Sequence, residues 1–195
     1  MPRFSECPFV RQAVRTVTAF TVAIGVVWLG PALAQDVTEP SLKAAFLYNF
    51  AKFTEWPSDA APPGAPLVTC FVGDNAIADA LERMVKGRQV MGRTVTVVRA
   101  TADAPPRTCH LLYAVTLTPT QLGPLMAGLR GTPVLTIVDS DGQARVPAIA
   151  RLFVENGNLR FDIDHGLAKR GRLELSAKLL TLAKKVYDER TGVTP

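Results

Sequence analysis

From Ser41 to Pro57 the chain reads SLKAAFLYNFAKFTEWP, with Leu42, Phe46, Phe50 and Phe53 recurring every three or four positions and Ala45 and Trp56 on nearly the same side. That period predicts a helix. Ser41 can open it by accepting a hydrogen bond from a free first-turn N–H, and Pro57 closes it by pushing the residue before it out of helical geometry. SDAAPPGAP, with its prolines and glycine, reads as a loop. LVTCFVG is then a short apolar, β-branched run of the kind a buried strand needs. Asp74 or Asn75 can cap the next helix, whose apolar positions are Ile77, Leu81, Met84 and Val85. GRQVMGR turns the chain into a second strand, TVTVVRA, and TADAPPR leads to a third, CHLLYAV. Thr118-Pro119 starts a helix with proline in its first turn. It runs to about Leu129, with Gly123 and Pro124 inside it, and TPVLTIVD is a fourth strand.

Strands alternating with helices of this length imply a parallel sheet covered on both faces. In a doubly wound sheet of strand order 2-1-3-4, the first and third strands are neighbours. After Asp139 the pattern changes. SDGQAR reads as a loop, and LFVENGNLRFDI carries Asn156-Gly157 between two strand-like runs, the favoured pair for a tight hairpin. Ser176 can cap a last helix over AKLLTLAKKVYDER, with Leu179, Leu180, Ala183, Val186 and Tyr187 on its apolar side. The expected fold is therefore α/β: a layered sandwich with a mainly parallel, mixed sheet, helices on both faces and a C-terminal β-hairpin plus helix.

Ahead of all this, Arg11 and Arg15 introduce a charge-free apolar run that ends in Ala32-Leu33-Ala34. A basic region, an apolar region and a small-x-small site describe a secretory signal peptide over residues 1–34, cut after Ala34. Residues 16–34 approach the ~20 apolar residues of a membrane span, but Gly30-Pro31 break the helix near its end. Cleavage would leave 35–195 as a single domain with no membrane insertion. It would also remove Arg3, Arg11, Arg15 and Glu6, lowering the formal charge from +5 to +3. Without a dense Lys/Arg block there is no nucleic-acid footprint. Cys7 would be lost too, leaving Cys70 and Cys109 in an oxidising compartment, where two such thiols usually pair. The alternatives are a metal pair or a redox dithiol. The two are 39 positions apart and not in a Cys-x-x-Cys arrangement, and they sit at equivalent ends of neighbouring strands, within reach of a bridge's ~5.5 Å Cα separation.

Candidate chemistry is sparse. DSDG at Asp139 and Asp141 resembles the start of a calcium loop but lacks the later oxygen ligands and distal glutamate. Asp162 and Asp164 share one face of a strand as a carboxylate pair, with Asp164 placed to serve as a turn or cap. His110 and His165 have no Ser or Cys nucleophile at a recognisable elbow, so a hydrogen-bonded structural role is the default for both. The glycines of GRQVMGR form no nucleotide fingerprint. No catalytic residue, metal or cofactor is expected. Within the aromatic helix, Phe46, Phe50 and Phe53 are expected in the core. Tyr48 lies off that stripe and Trp56 at its end, where exposed aromatics mark a partner surface.

KAAFLYNFAKFTEWP, CFVGDNAIADAL, GRQVMGRTVTV, CHLLYAV, VLTIVD and LRFDIDHGLAKRGRLELSAKLLTLA, in this order, resemble the YfiR family of periplasmic proteins, over about Lys43 to Val186. The resemblance implies an exported, non-catalytic regulator that holds an inner-membrane signalling protein, a diguanylate cyclase or a sensor kinase, inactive through its periplasmic sensory portion. Cyclic-di-GMP and biofilm formation would thereby be limited. Cys70 and Cys109 match a cysteine pair of the family. A second pair found in some members has no counterpart in ARVPAIARLF, and Asp164 stands where the family commonly has Asn. An exposed aromatic helix also leaves room for a homodimer. The competing reading is a periplasmic enzyme or small-ligand carrier using the carboxyl ends of the strands, around Gly73-Asp74, Thr116 to Thr118 and Asp139.

Overall fold

Five parallel strands make the middle of the sheet in a computed structural model that describes residues 38–103, 108–139, 146–188 and 192–194. The leader expected at 1–34 lies outside these residues, as does Asp141. The chain runs α1 (Glu39–Lys52), β1 (Thr54–Glu55), β2 (Leu67–Val72), α2 (Asn75–Val85), β3 (Gln89–Val90), β4 (Arg93–Ala100), β5 (Leu111–Ala114), α3 (Pro119–Gly128) and β6 (Leu135–Asp139). It continues as β7 (Ala150–Glu155), β8 (Asn158–Asp164), α4 (His165–Arg170), β9 (Glu174–Leu175), α5 (Ala177–Leu182), β10 (Lys185–Asp188) and β11 (Gly192–Thr194). The large sheet has the order β11-β10-β8-β7-β6-β5-β2-β4-β3, and β1 pairs with β9 separately. β4, β2, β5, β6 and β7 are parallel, so the predicted 2-1-3-4 order appears as β4-β2-β5-β6.

Both faces are covered, and the strands sort their side chains with period two. Leu67, Phe71, Leu111, Tyr113, Leu135 and Ile137 pack in one apolar cluster with the buried residues of α1 and α2. Cys70, Val72, Leu112, Ala114 and Val138 belong to a second cluster with Leu122, Leu125 and Met126 of α3. β7 and β8 form the expected antiparallel hairpin. Its turn residues Asn156 and Gly157 both have positive φ, 50° and 72°, as the twist of a two-residue turn requires.

Local chemistry fixes the helix starts. Asp74 accepts from the Ala76 N–H at 2.7 Å and so caps α2. Asp164 accepts from the Leu167 N–H at 2.8 Å, the cap role foreseen for it. Gln121 reaches back to the Thr118 N–H at 3.1 Å ahead of Pro119.

Three expectations need correction. The cap of α1 is Thr38, not Ser41, and the helix ends at Lys52 with Phe53 as its cap, well before Pro57. Thr54 and Glu55 leave the helix because they pair with Leu175 and Glu174. The buried stripe of α1 is Lys43, Ala44, Leu47, Phe50 and Ala51, and Leu42 is 38% exposed. Small Ala44 and Ala51 let the helix approach closely, while Phe46 packs from the flank, edge-on to Phe161 at 6.0 Å. The last helix is shorter than its apolar period suggests. After Leu182, Ala183 is extended, and Lys185–Asp188 runs parallel to β8. The unpaired edge of β8 offers hydrogen bonds that a continued helix would leave unmade.

Candidate functional site

The carboxyl ends of the central strands, where open α/β sheets usually hold ligands, meet α1. Lys43 sits on the buried stripe of that helix, and its Nζ bonds Asp139 Oδ2 at the end of β6. It also pairs with Glu39 Oε1, one turn earlier, at 2.6 Å. Tyr113 of β5, fully buried, donates its hydroxyl to the same Asp139 oxygen at 3.0 Å. Burial would depress the Lys43 ammonium, but the bonds to Asp139 and Glu39 outweigh it and raise its pKa. The bond from Lys43 holds Glu39 below the usual carboxylate range. Burial, helped by the negative charge of Asp139, pushes the Tyr113 phenol far above its ordinary value. It is therefore a fixed donor at physiological pH. The cluster is a closed set of charge-assisted bonds holding α1 against the strand ends.

The segment after α1 is tied down by a second set of contacts. Trp56 Nε1 donates to the His110 carbonyl at 3.0 Å, and its ring meets the His110 ring edge-on at 6.3 Å. His110 Nδ1 accepts from the Val68 N–H at 2.9 Å, so its proton resides on Nε2, 3.1 Å from the Ala60 carbonyl it donates to. Burial lowers the pKa of this ring, and Arg93 adds to the effect, against the Ala60 bond. Next to it, Cys109 is joined to Cys70 with Cα atoms 5.9 Å apart. Cys109 lies ahead of β5, not at its start, while Cys70 is within β2. Phe53 is half-buried, with Lys52 and Lys178 ammonium groups 5.7 and 5.2 Å from its ring centre.

Of the two aromatic contact residues expected from the sequence, Tyr48 is half-buried on the flank of α1 against the first core cluster. Trp56 is half-buried too and bonded to His110, not projecting freely from a helix end. They stand on separate elements: α1, and the turn after β1. Asp139, the first residue of the calcium-like DSDG, has its side chain engaged by Lys43 and Tyr113. Asp162 is pushed upward by burial, against nearby Lys185 and Arg151. His165 starts α4, 3.7 Å from Asp188. Lys43 was not singled out in the sequence. Only its spacing from Glu39, the i,i+4 order that favours a helical ion pair, hinted at a role.

Among the described residues no helix is long and apolar enough to cross a membrane, and no cluster of three His, Cys, Asp or Glu side chains could hold a metal ion. No curated protein matches the chain. A family described as YfiR/HmsC-like does, over residues 40–184, from the first turn of α1 to just past α5. The chain thus belongs to the YfiR/HmsC-like family, a membership that fits a regulatory role.

Proposed function

We propose that the chain is a periplasmic regulator that binds the periplasmic sensory portion of an inner-membrane signalling enzyme, a diguanylate cyclase, and holds it inactive. The observation that carries this reading is the family match across residues 40–184. A buried disulfide of the kind favoured by oxidising compartments supports it. Repression of this type needs no chemistry in the repressor. A partner that binds the inactive state more tightly shifts the population toward it. The engagement of Asp139 by Lys43 and Tyr113 weighs against a ligand held by that carboxylate.

Tyr48 and Trp56 are the proposed contact residues, offering partly exposed ring area on and just after α1. Because Trp56 also bonds His110, Tyr48→Ala is the cleaner probe. Deleting the gene is expected to raise cyclic-di-GMP and give adherent, wrinkled colonies. Crosslinking in intact cells followed by purification from membranes should recover a cyclase with the wild-type chain and much less of it with Tyr48→Ala. Unchanged cyclic-di-GMP after deletion would sink the reading. A signal peptide cut after Ala34 belongs to the same proposal, and the purified exported protein should begin at Gln35.

A further inference from the structure

One edge of the large sheet is open where a groove runs beside it. β3 pairs only with Arg93 and Thr94 of β4. From Val95 to Ala100, β4 is bonded to β2 on one side, and among the described residues no strand lies on the other. Next to this edge, between β4 and α2, is a groove of about 860 Å³. Its apolar floor includes Val85 of α2 with Val95 and Val97 of β4, both half-buried.

The rim is charged unevenly. Asp79 and Glu82 of α2 are both taken up by Arg99. Arg83, Lys86 and Arg88 also line the groove, and among the described residues none of the three has a carboxylate partner.

Unpaired strand backbone is a template for another strand. Pairing through the main chain supplies affinity, while the floor receives alternate side chains, the mode known as β-augmentation. We infer that this groove takes an extended, acidic segment of another polypeptide, which adds to the sheet along Val95–Ala100 with apolar side chains on Val95 and Val97 and carboxylates toward Arg83, Lys86 and Arg88. An acidic occupant is favoured over a basic one because four cations, Arg83, Lys86, Arg88 and Arg99, face only two acids, Asp79 and Glu82. Neither Tyr48 nor Trp56 lines the groove, so its occupancy is independent of the regulatory reading and is tested without any cyclase.

The probe is a fluorescein-labelled octapeptide, Val-Thr-Val-Thr-Glu-Thr-Glu-Thr, whose Val and Glu share one strand face; it is compared with its Lys/Val counterpart, Lys replacing Glu, and with a copy N-methylated at alternate residues. Fluorescence anisotropy on the purified protein should show binding of the Glu/Val peptide that weakens as salt is added. The N-methylated copy should lose it, because its main chain can no longer pair, and the Lys/Val peptide should bind at least ~10-fold more weakly. Hydrogen exchange should slow at residues 95–100 only when the Glu/Val peptide is present. Arg83→Gln with Lys86→Gln, both exposed at the C-terminal end of α2, should reduce its affinity about tenfold while changing the melting temperature little. Equal binding of the N-methylated copy, protection elsewhere, or no binding at all would overturn the inference. So would protection of residues 95–100 that grows with protein concentration alone, because a second copy would then occupy the edge.

Discussion

At Lys43 the cost of burying an ammonium is met by two carboxylates, one of which also takes the Tyr113 hydroxyl. Glu39 is exposed, but without Lys43 the buried Asp139 carboxylate would keep only the Tyr113 hydroxyl and no countercharge. Lys43→Met is therefore expected to lower the unfolding free energy by ~3–5 kcal/mol in urea titrations. Tyr113→Phe should cost only ~1–2 kcal/mol, the loss of one donor to a charged acceptor. Adding Asp139→Leu to Lys43→Met should restore much of the loss, because no lone charge remains. His110 gives the second prediction at this scale. Its folded pKa lies below the unfolded value, first because of burial and then because of Arg93, so the unfolded chain takes up the proton first. Its contribution is complete above pH 6.5, the ordinary value, and is lost as pH falls through the folded pKa. Protonation would also turn Nδ1 from an acceptor into a donor facing the Val68 N–H. His165 is shifted the same way by burial and Lys169 and shares the effect. In His110→Gln the fall in stability on acidification should become shallower, though not vanish.

Among the elements, α1 carries the clearest contrast between pattern and packing. Leu47 is fully buried whereas Leu42 is 38% exposed. Leu47→Ala should cost ~2–5 kcal/mol and Leu42→Ala no more than ~0.5 kcal/mol, both read by urea unfolding. Equal losses would mean that the helix is turned the other way. An apolar period cannot choose between two overlapping stripes when aromatic residues flank both, and the group that settles the choice, Asp139, lies far along the chain. The strands were easier to read. LVTCFV and VLTIVD are buried on both faces, so their apolar runs have only one sensible conformation. AKLLTLAKKVYD keeps a real helical period past Leu182, and only the adjoining edge of β8 makes Lys185–Asp188 a strand. Gly73, at the end of β2, has φ +111°, and a Cβ there would fall 1.9 Å from the Val115 carbonyl oxygen. Gly73→Ala should therefore destabilise by about 3 kcal/mol or more, seen as a fall in melting temperature.

For the molecule as a whole, the strand order β4-β2-β5-β6 was legible because alternating strands and helices leave few arrangements once right-handed crossovers are required. The nearness of Cys70 and Cys109 followed from that order. Replacing both by serine should remove ~2–4 kcal/mol, the usual contribution of a disulfide closing such a loop, and the wild-type protein should lose a similar amount on reduction. The candidate site is less legible in the sequence. Tyr48 and Trp56 stood out by residue type, but a sequence does not reveal that an indole bonds a carbonyl 54 positions away. Nor does it reveal that a lysine in an aromatic helix will meet an aspartate at the end of a central strand, 96 positions on.

That long reach has a consequence for how the polypeptide matures. Synthesis starts from the amino end, so the helix of Lys43 appears 96 residues before its aspartate. Until then Lys43 has only the exposed Glu39 as countercharge, and Phe46 and Phe50 still lack the Phe161 ring they pack on, so the nascent chain must be kept from clumping while its first helix waits for its seat.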